Sequence, residues 1–162
     1  MQDRIPLNIR ADGWQASAAP LKVLADGSQI PADDPRTDHV AVLFPDGWLV
    51  STRLTAADDG TEYDDSDDAV EAVKQERLLG FSDWINAPLD EVLLRHVIRH
   101  DRFSPAVDTN LFPNFPKSGW IRSDVIVGSS ASAWSVDVDL GLVYGHPRSG
   151  NGFGLACRRA GQ

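Results

Sequence analysis

Apolar and polar positions change period along this chain, and the changes divide it. Val40-Ala41-Val42-Leu43-Phe44 and Trp48-Leu49-Val50-Ser51 are apolar runs on either side of Pro45-Asp46-Gly47, the signature of a β-hairpin. Before them, residues 1 to 39 are broken by Gly13, Pro20, Gly27, Pro31 and Pro35 and hold two short runs, Ile5 to Ile9 and Leu21 to Leu24. Proline cannot donate to a central ladder, so this stretch reads as an arm of short edge strands, with Asp26-Gly27 as a turn. The period then becomes helical. Ala69, Val70 and Val73 start one buried stripe, which predicts a helix near 68 to 79 with Asp68 as N-cap, Glu71 three residues on, and Gly80 as a left-handed cap. Leu89, Val92, Leu93 and Val97 form a second apolar face, over 88 to 100. That helix should open at Pro88, carry Asp90 and Glu91 in its first turn and end on Arg99 and His100, matching the helix dipole.

Beyond Ser104 the pattern returns to period two. Gly119 to Ile126 can form a strand. Ala133 to Val138 alternates, turns through Asp139-Leu140-Gly141 and returns through Leu142-Val143-Tyr144. Gly150-Asn151-Gly152 precedes a last strand, Phe153 to Arg158. Strands, two helices, then strands predict an α+β fold, with two helices packed on a small antiparallel sheet.

Composition narrows the class. At 162 residues the chain suits one domain, and 42% apolar residues supply a core. Twenty-four acidic against fifteen basic residues give a net charge of −9, which disfavours direct nucleic-acid binding and capture by an anionic membrane. No apolar stretch approaches the ~20 residues of a membrane span, and the start at Met1 lacks the pattern of a signal peptide. The expected location is therefore the cytoplasm, or a phage particle assembled there. A single cysteine, Cys157, excludes an internal disulfide.

Several segments together resemble the Lcl C-terminal domain family of bacterial and phage proteins. Gly80-Phe81-Ser82-Asp83-Trp84 is similar to its Gly-aromatic-Ser/Thr-Asp-Trp signature, and Pro88 with Glu91-Val92 to its following helix. Ala106-Val107-Asp108, Phe112-Pro113, Trp120-Ile121-Arg122-Ser123, Trp134 to Val138 with Gly141, and Leu155 to Arg159 resemble later pieces in the same order. The resemblance covers roughly residues 40 to 159 and leaves 1 to 39 outside as an N-terminal extended arm. It implies a C-type-lectin-like fold, with the domain at 40–162, and a binding or adhesion role. The chain departs from the family where an arginine precedes Leu-Pro, and where Ala156 stands for a second arginine.

Candidate chemistry is sparse. His96 and His100 have the i, i+4 spacing of a metal pair, but no third ligand accompanies them; His96 reads as a boundary residue and His100 as a helix-end cation. Eight acidic residues fall between Asp58 and Glu71, without the spacing of a calcium loop. They read as a solvated helix entry, or alternatively as a nucleic-acid mimic through Asp58, Asp59, Glu62, Asp64, Asp65 and Asp67. The oxidising enzymes of this fold use two cysteines, and Cys157, in a strand, reads as a buried structural thiol. Gly128 to Ser132 reads as a flexible loop, not a nucleophile elbow, and Gly150 to Gly154 is no nucleotide cradle. No catalytic set, metal site or cofactor is expected. Of five tryptophans, Trp48, Trp84 and Trp134 are expected in the core, while Trp14 and Trp120 are open.

The expectation is a non-catalytic module binding a protein or glycan through Arg122 to Ser132 and Tyr144 to Asn151, read as loops flanking the last hairpin. The candidates are Trp120, Arg122, Asp124, Ser129, Ser130, Tyr144, His146, Arg148 and Asn151. An acidic inhibitor of a host defence or nuclease complex is the alternative. A structural component of a phage particle is the third, and a homo-oligomer is possible.

Overall fold

A computed structural model describes residues 19 to 161. The run Ile5 to Ile9 and Trp14 lie outside the described residues. The hairpin forms as expected: β3 (Ala41–Leu43) pairs antiparallel with β4 (Trp48–Thr55), Val42 opposite Val50. Its turn works because Gly47 takes φ +97°, and Asp46 Oδ1 accepts from the Trp48 N–H at 3.3 Å. β1 (Leu21–Val23) and β2 (Gln29–Pro31) form a second hairpin about Gly27, φ +87°. β1 also pairs with β3, so these two strands share the sheet of the following residues. β5 (Ile85–Asn86) and β9 (Gly154–Arg159) complete it, in the order β2-β1-β3-β4-β9-β5. A separate antiparallel sheet holds β6 (Trp120–Ile126), β7 (Ser129–Asp137) and β8 (Val143–Pro147) in sequence order.

The class is α+β with two helices, but there are two antiparallel sheets where one small sheet was expected. The large sheet is covered on both faces, so its central strands are apolar throughout rather than alternating. One face packs Leu43, Leu49 and Ala156 against Val73, Leu79, Phe81 and Trp84. The other packs Val42, Val50, Leu155 and Cys157 against the second helix and against Ile121 and Val136 of the three-stranded sheet.

The first helix, α1 (Ser66–Lys74), starts earlier than expected. Its N-cap is Asp65, whose carboxylate accepts from the Asp68 N–H at 3.1 Å, so Asp68 lies inside the first turn. It also stops short of 79. The Glu76 carboxylate takes the N–H groups of Arg77 and Leu78, and a short turn follows with Leu79 at φ +57° and Gly80 at φ +80°. The second helix, α2 (Leu89–Val97), buries the expected Leu89, Val92, Leu93 and Val97. It is wound wide, with i→i+5 bonds from Leu93 to Pro88 and from Ile98 to Leu93. Pro88 is extended and precedes it, and Ile98 leaves in extended form to bridge Val107. Arg99 and His100 therefore lie beyond the helix; its last-turn cations are Arg95 and His96. His96 stacks on Phe44 at 4.2 Å and bonds Asp46 at 2.7 Å, tying α2 to the hairpin turn.

Gly80 to Trp84 closes the far edge. Phe81 and Trp84 are buried, and Asp83 holds the buried Arg158 of β9 at 2.6 and 3.0 Å, with that guanidinium lying over Phe81. Cys157 is buried beside it, and burial, ahead of the charges of Asp124 and Glu91, pushes its thiol up to about 12. That is the expected structural thiol. Among the described residues no helix is long and apolar enough to cross a membrane.

Candidate functional site

Of the candidate residues only Arg148 and Asn151 lie on a loop; the others lie in strands. Ser129 and Ser130 begin β7, and Tyr144 and His146 lie within β8, because both segments continue the alternation of the hairpin and pair Ser132 with Pro147. The loop proper is 148 to 152. Registers Trp120↔Asp137, Arg122↔Ser135↔Tyr144 and Ala133↔His146 put Trp120, Arg122, Ser135, Tyr144 and His146 on one face. There Tyr144 and His146 lie parallel, 5.9 Å apart and two residues along one strand. Trp120 meets both edge-on, at 5.3 and 4.6 Å. Perpendicular rings are a favourable arrangement for aromatic quadrupoles and hold the cluster in one geometry. Tyr144 remains 43% exposed, and Trp120 and His146 are half-buried.

Beneath this cluster the face is polar and closed. Arg122 is 1% exposed, so it is no partner contact. Its guanidinium donates to the Pro147 carbonyl at 2.6 Å and fixes the end of β8. Burial lowers its pKa, against the raising influence of Asp65, Asp67 and Glu62. Gly152 makes this burial possible: a Cβ there would stand 2.3 Å from Arg122 Cγ. Arg122 Nε and the Ser135 hydroxyl, opposite each other across the strands, are buried without a hydrogen-bond partner among the described residues.

Arg148 is structural too. It grips Asp67 with Nε and Nη2 at 2.9 to 3.0 Å, while Nη1 donates to the Ser130 carbonyl at 3.0 Å. Asp124 accepts from the Leu89 N–H at 3.1 Å and so satisfies a free donor at the start of α2. Asn151 donates to Glu62 at 2.7 Å, and the other Glu62 oxygen takes the Trp120 N–H at 2.8 Å.

The loop surface and the acidic run, alternatives at the level of sequence, are therefore stitched together. Tyr63 and Gly152 exchange backbone bonds, and the Ser66 N–H and hydroxyl both reach the Arg148 carbonyl. Asp59 closes its own turn onto Thr61, Asp65 caps α1, and Asp67 holds Arg148. Among the described residues only Asp58 and Asp64 of the six named carboxylates make no hydrogen bond or ion pair. Asp58, Asp59, Glu62, Asp64 and Asp68 line an open groove of about 480 Å³ with Tyr63, whose pKa is raised by burial and then by Asp58 and Asp68.

A second cavity, of about 330 Å³, lies among Asp38, His39, Ser51, Arg53, Glu76 and Asn114. Nothing in the sequence marked it, since its walls come from four separate segments. His39 is buried there. Its Nε2 bonds the Leu111 carbonyl at 2.7 Å, and burial holds its pKa below the ordinary imidazole value. Among the described residues no three His, Cys, Asp or Glu side chains converge as a metal site. Comparison of the chain with protein-family models, curated proteins and solved structures finds no match.

Proposed function

We propose that this chain is a non-catalytic recognition module that engages a protein or glycan partner through Trp120, Tyr144 and His146, with Asn151 and Glu62 at the edge. One observation carries the reading: a half-exposed aromatic cluster is held in fixed geometry on a sheet face beside a buried Arg122 that bonds the Pro147 carbonyl. Preorganised aromatics with one face in water are common anchors for partners, because little side-chain freedom is lost on binding. A C-type-lectin-like fold related to the Lcl C-terminal domains is part of the proposal. What supports it is that two segments of the resemblance, Phe81 to Trp84 and Leu155 to Arg159, meet through the Asp83–Arg158 pair.

The acidic-mimic reading is weaker. A mimic needs carboxylates free to replace phosphates, and here Asp59, Glu62, Asp65 and Asp67 are held by their own chain. No structural feature favours the particle-component reading over the others.

The test is photo-crosslinking from a benzoylphenylalanine at position 144, against arrayed oligosaccharides and against candidate proteins. A discrete adduct should form, and Trp120→Ala should weaken it at least tenfold. Tyr144→Ala with His146→Ala should abolish binding while lowering stability by only about 1 kcal/mol, the worth of such ring contacts. Binding that survives the double substitution would sink the assignment.

A further inference from the structure

β8 is a free edge of the three-stranded sheet. The Asp137 N–H bonds the Leu142 carbonyl at 2.9 Å and the Arg148 N–H bonds the Ala131 carbonyl at 2.8 Å, so Leu142, Tyr144 and His146 turn their backbone groups to β7. Val143 and Gly145 turn theirs the other way, and among the described residues nothing bonds them. Leu140, Leu142, Val143 and Tyr144, on or beside this edge, are 36 to 44% exposed. The other exposed large apolar side chains among the described residues, Ile85, Phe103, Val125 and Val127, lie elsewhere in the sequence. The remaining edges are guarded. β2 ends on Pro31 with Asp33 and Asp34 beyond it, β5 is two residues long between Asp83 and Asp90, and β6 is bonded to Phe153. An apolar edge with unpaired backbone groups is a template for another strand.

We propose that two copies of the chain join β8 to β8, antiparallel about a two-fold axis at Tyr144, and so extend the sheet across both. The edge is complementary to itself. Val143 lies opposite Gly145 of the second copy, and each outward N–H meets an outward carbonyl. The ladder ends there because Pro147 has no N–H to continue it. Side chains match on both faces. Gly145 leaves a notch bordered by Ile126 and Trp134, whose nearest atoms lie 2.9 and 3.9 Å from where a Cβ would stand. Val143 of the second copy, directly opposite, fills that notch. On the other face Tyr144 meets its counterpart, and Leu142 meets His146. Like charges oppose the association of two chains of −9, and residues 140 to 147 hold no Asp, Glu, Lys or Arg. The same surface is used on both copies, so the contact closes as a dimer. It stands apart from recognition through Trp120, Tyr144 and His146, whose rings stand on a face of the sheet while the pairing uses its edge.

Disulfide trapping reads the register. The two-fold axis sets Tyr144 opposite its counterpart as a non-hydrogen-bonded pair, with Cα atoms about 4.5 Å apart and so within reach of a disulfide. Leu142 and His146 of the other copy form the same kind of pair. Under copper–phenanthroline oxidation, Tyr144→Cys should convert to a covalent dimer. Leu142→Cys and His146→Cys should each stay at single-chain mass alone and crosslink when mixed. The native Cys157 is buried and supplies no background. In sedimentation equilibrium the wild type should rise with concentration from the 17.7 kDa chain to twice that mass and no further. Val143→Pro deletes an outward N–H without removing a bond to β7, and Val143→Lys sets a charge into the notch of the other copy. Both should stay monomeric where the wild type is dimeric, with an unchanged thermal melt; should the proline disturb the fold, the lysine decides. A wild type that stays monomeric to its solubility limit, equal crosslinking at all three cysteines, or a Val143→Lys chain that dimerises like wild type would each overturn the proposal.

Discussion

The two sheets of this protein solve the same problem in different ways. In the six-stranded sheet, β3, β4 and β9 are buried on both faces, and the cohesion is apolar: Leu43, Leu49, Val50 and Leu155 are fully enclosed. In the three-stranded sheet only one face, with Ile121 and Val136, joins that core. The other is held by single polar contacts that cross long stretches of sequence, such as Arg122 to Pro147, Arg148 to Asp67 and Glu62 to Trp120. Its exposed apolar surface is left outward at Leu142 and Tyr144. The difference separates stability from recognition. A surface held by directional bonds can keep aromatic rings outward without collapsing onto them, whereas an apolar face would bury them.

The comparison breaks first at Leu49. Leu49→Ala removes a side chain enclosed between β3 and β9 and should destabilise the chain by about 2–5 kcal/mol in urea titration. If the loss is no larger than that of Tyr144→Ala, the large sheet is not the main source of stability. Next comes the closed polar face. Gly152→Ala places a methyl against Arg122 Cγ and 3.0 Å from the Trp120 carbonyl, and should cost about 1–3 kcal/mol through overpacking. Gly128→Ala makes a control for glycine freedom, because it is strained by its φ of +84° but has nothing within 4 Å. A Gly152 effect no greater than the Gly128 effect would mean that close packing on Arg122 is not what the glycine provides.

How much of this was legible differs residue by residue. The hairpin from Val40 to Ser51 was, because apolar runs punctuated by Asp-Gly leave few alternatives, and the apolar face of α2 followed from spacing alone. The ends of both helices were not. Asp65 and Asp68 each offer a cap three residues ahead of another acidic residue, and the choice is made by Ser66 bonding Arg148, more than eighty positions away in sequence. Arg122 passed for a partner contact because a strand arginine beside a tryptophan carries no mark of burial; its cover, Gly152, arrives thirty residues later. Tyr144 was legible as an exposed aromatic, although in a strand and not a loop. Phe103 was not singled out, since nothing in its spacing separates an outward phenylalanine from one that fills a core.

The smallest effect discriminates most finely, because it asks whether the acidic run is held by its bonds or merely crowded. Asp65→Ala removes the acceptor for the Asp68 N–H and leaves a first-turn donor without its side-chain partner, so it should lower stability by about 1 kcal/mol. Asp68→Ala keeps that cap intact and loses only a favourable charge near the helix N-terminus. It also relieves crowding with neighbouring carboxylates and with Tyr63, whose ionisation Asp68 opposes. These opposing contributions are each a few tenths of a kcal/mol, so the net change should fall within about 0.5 kcal/mol. Paired urea titrations of the two variants, at equal ionic strength, read the difference directly. Equal losses would return the cap to Asp68 and separate the run from the loop it is bonded to. A loss at Asp65 alone would instead show that its carboxylate, and not that of Asp68, caps α1 at the turn where Ser66 and Asp67 bond Arg148.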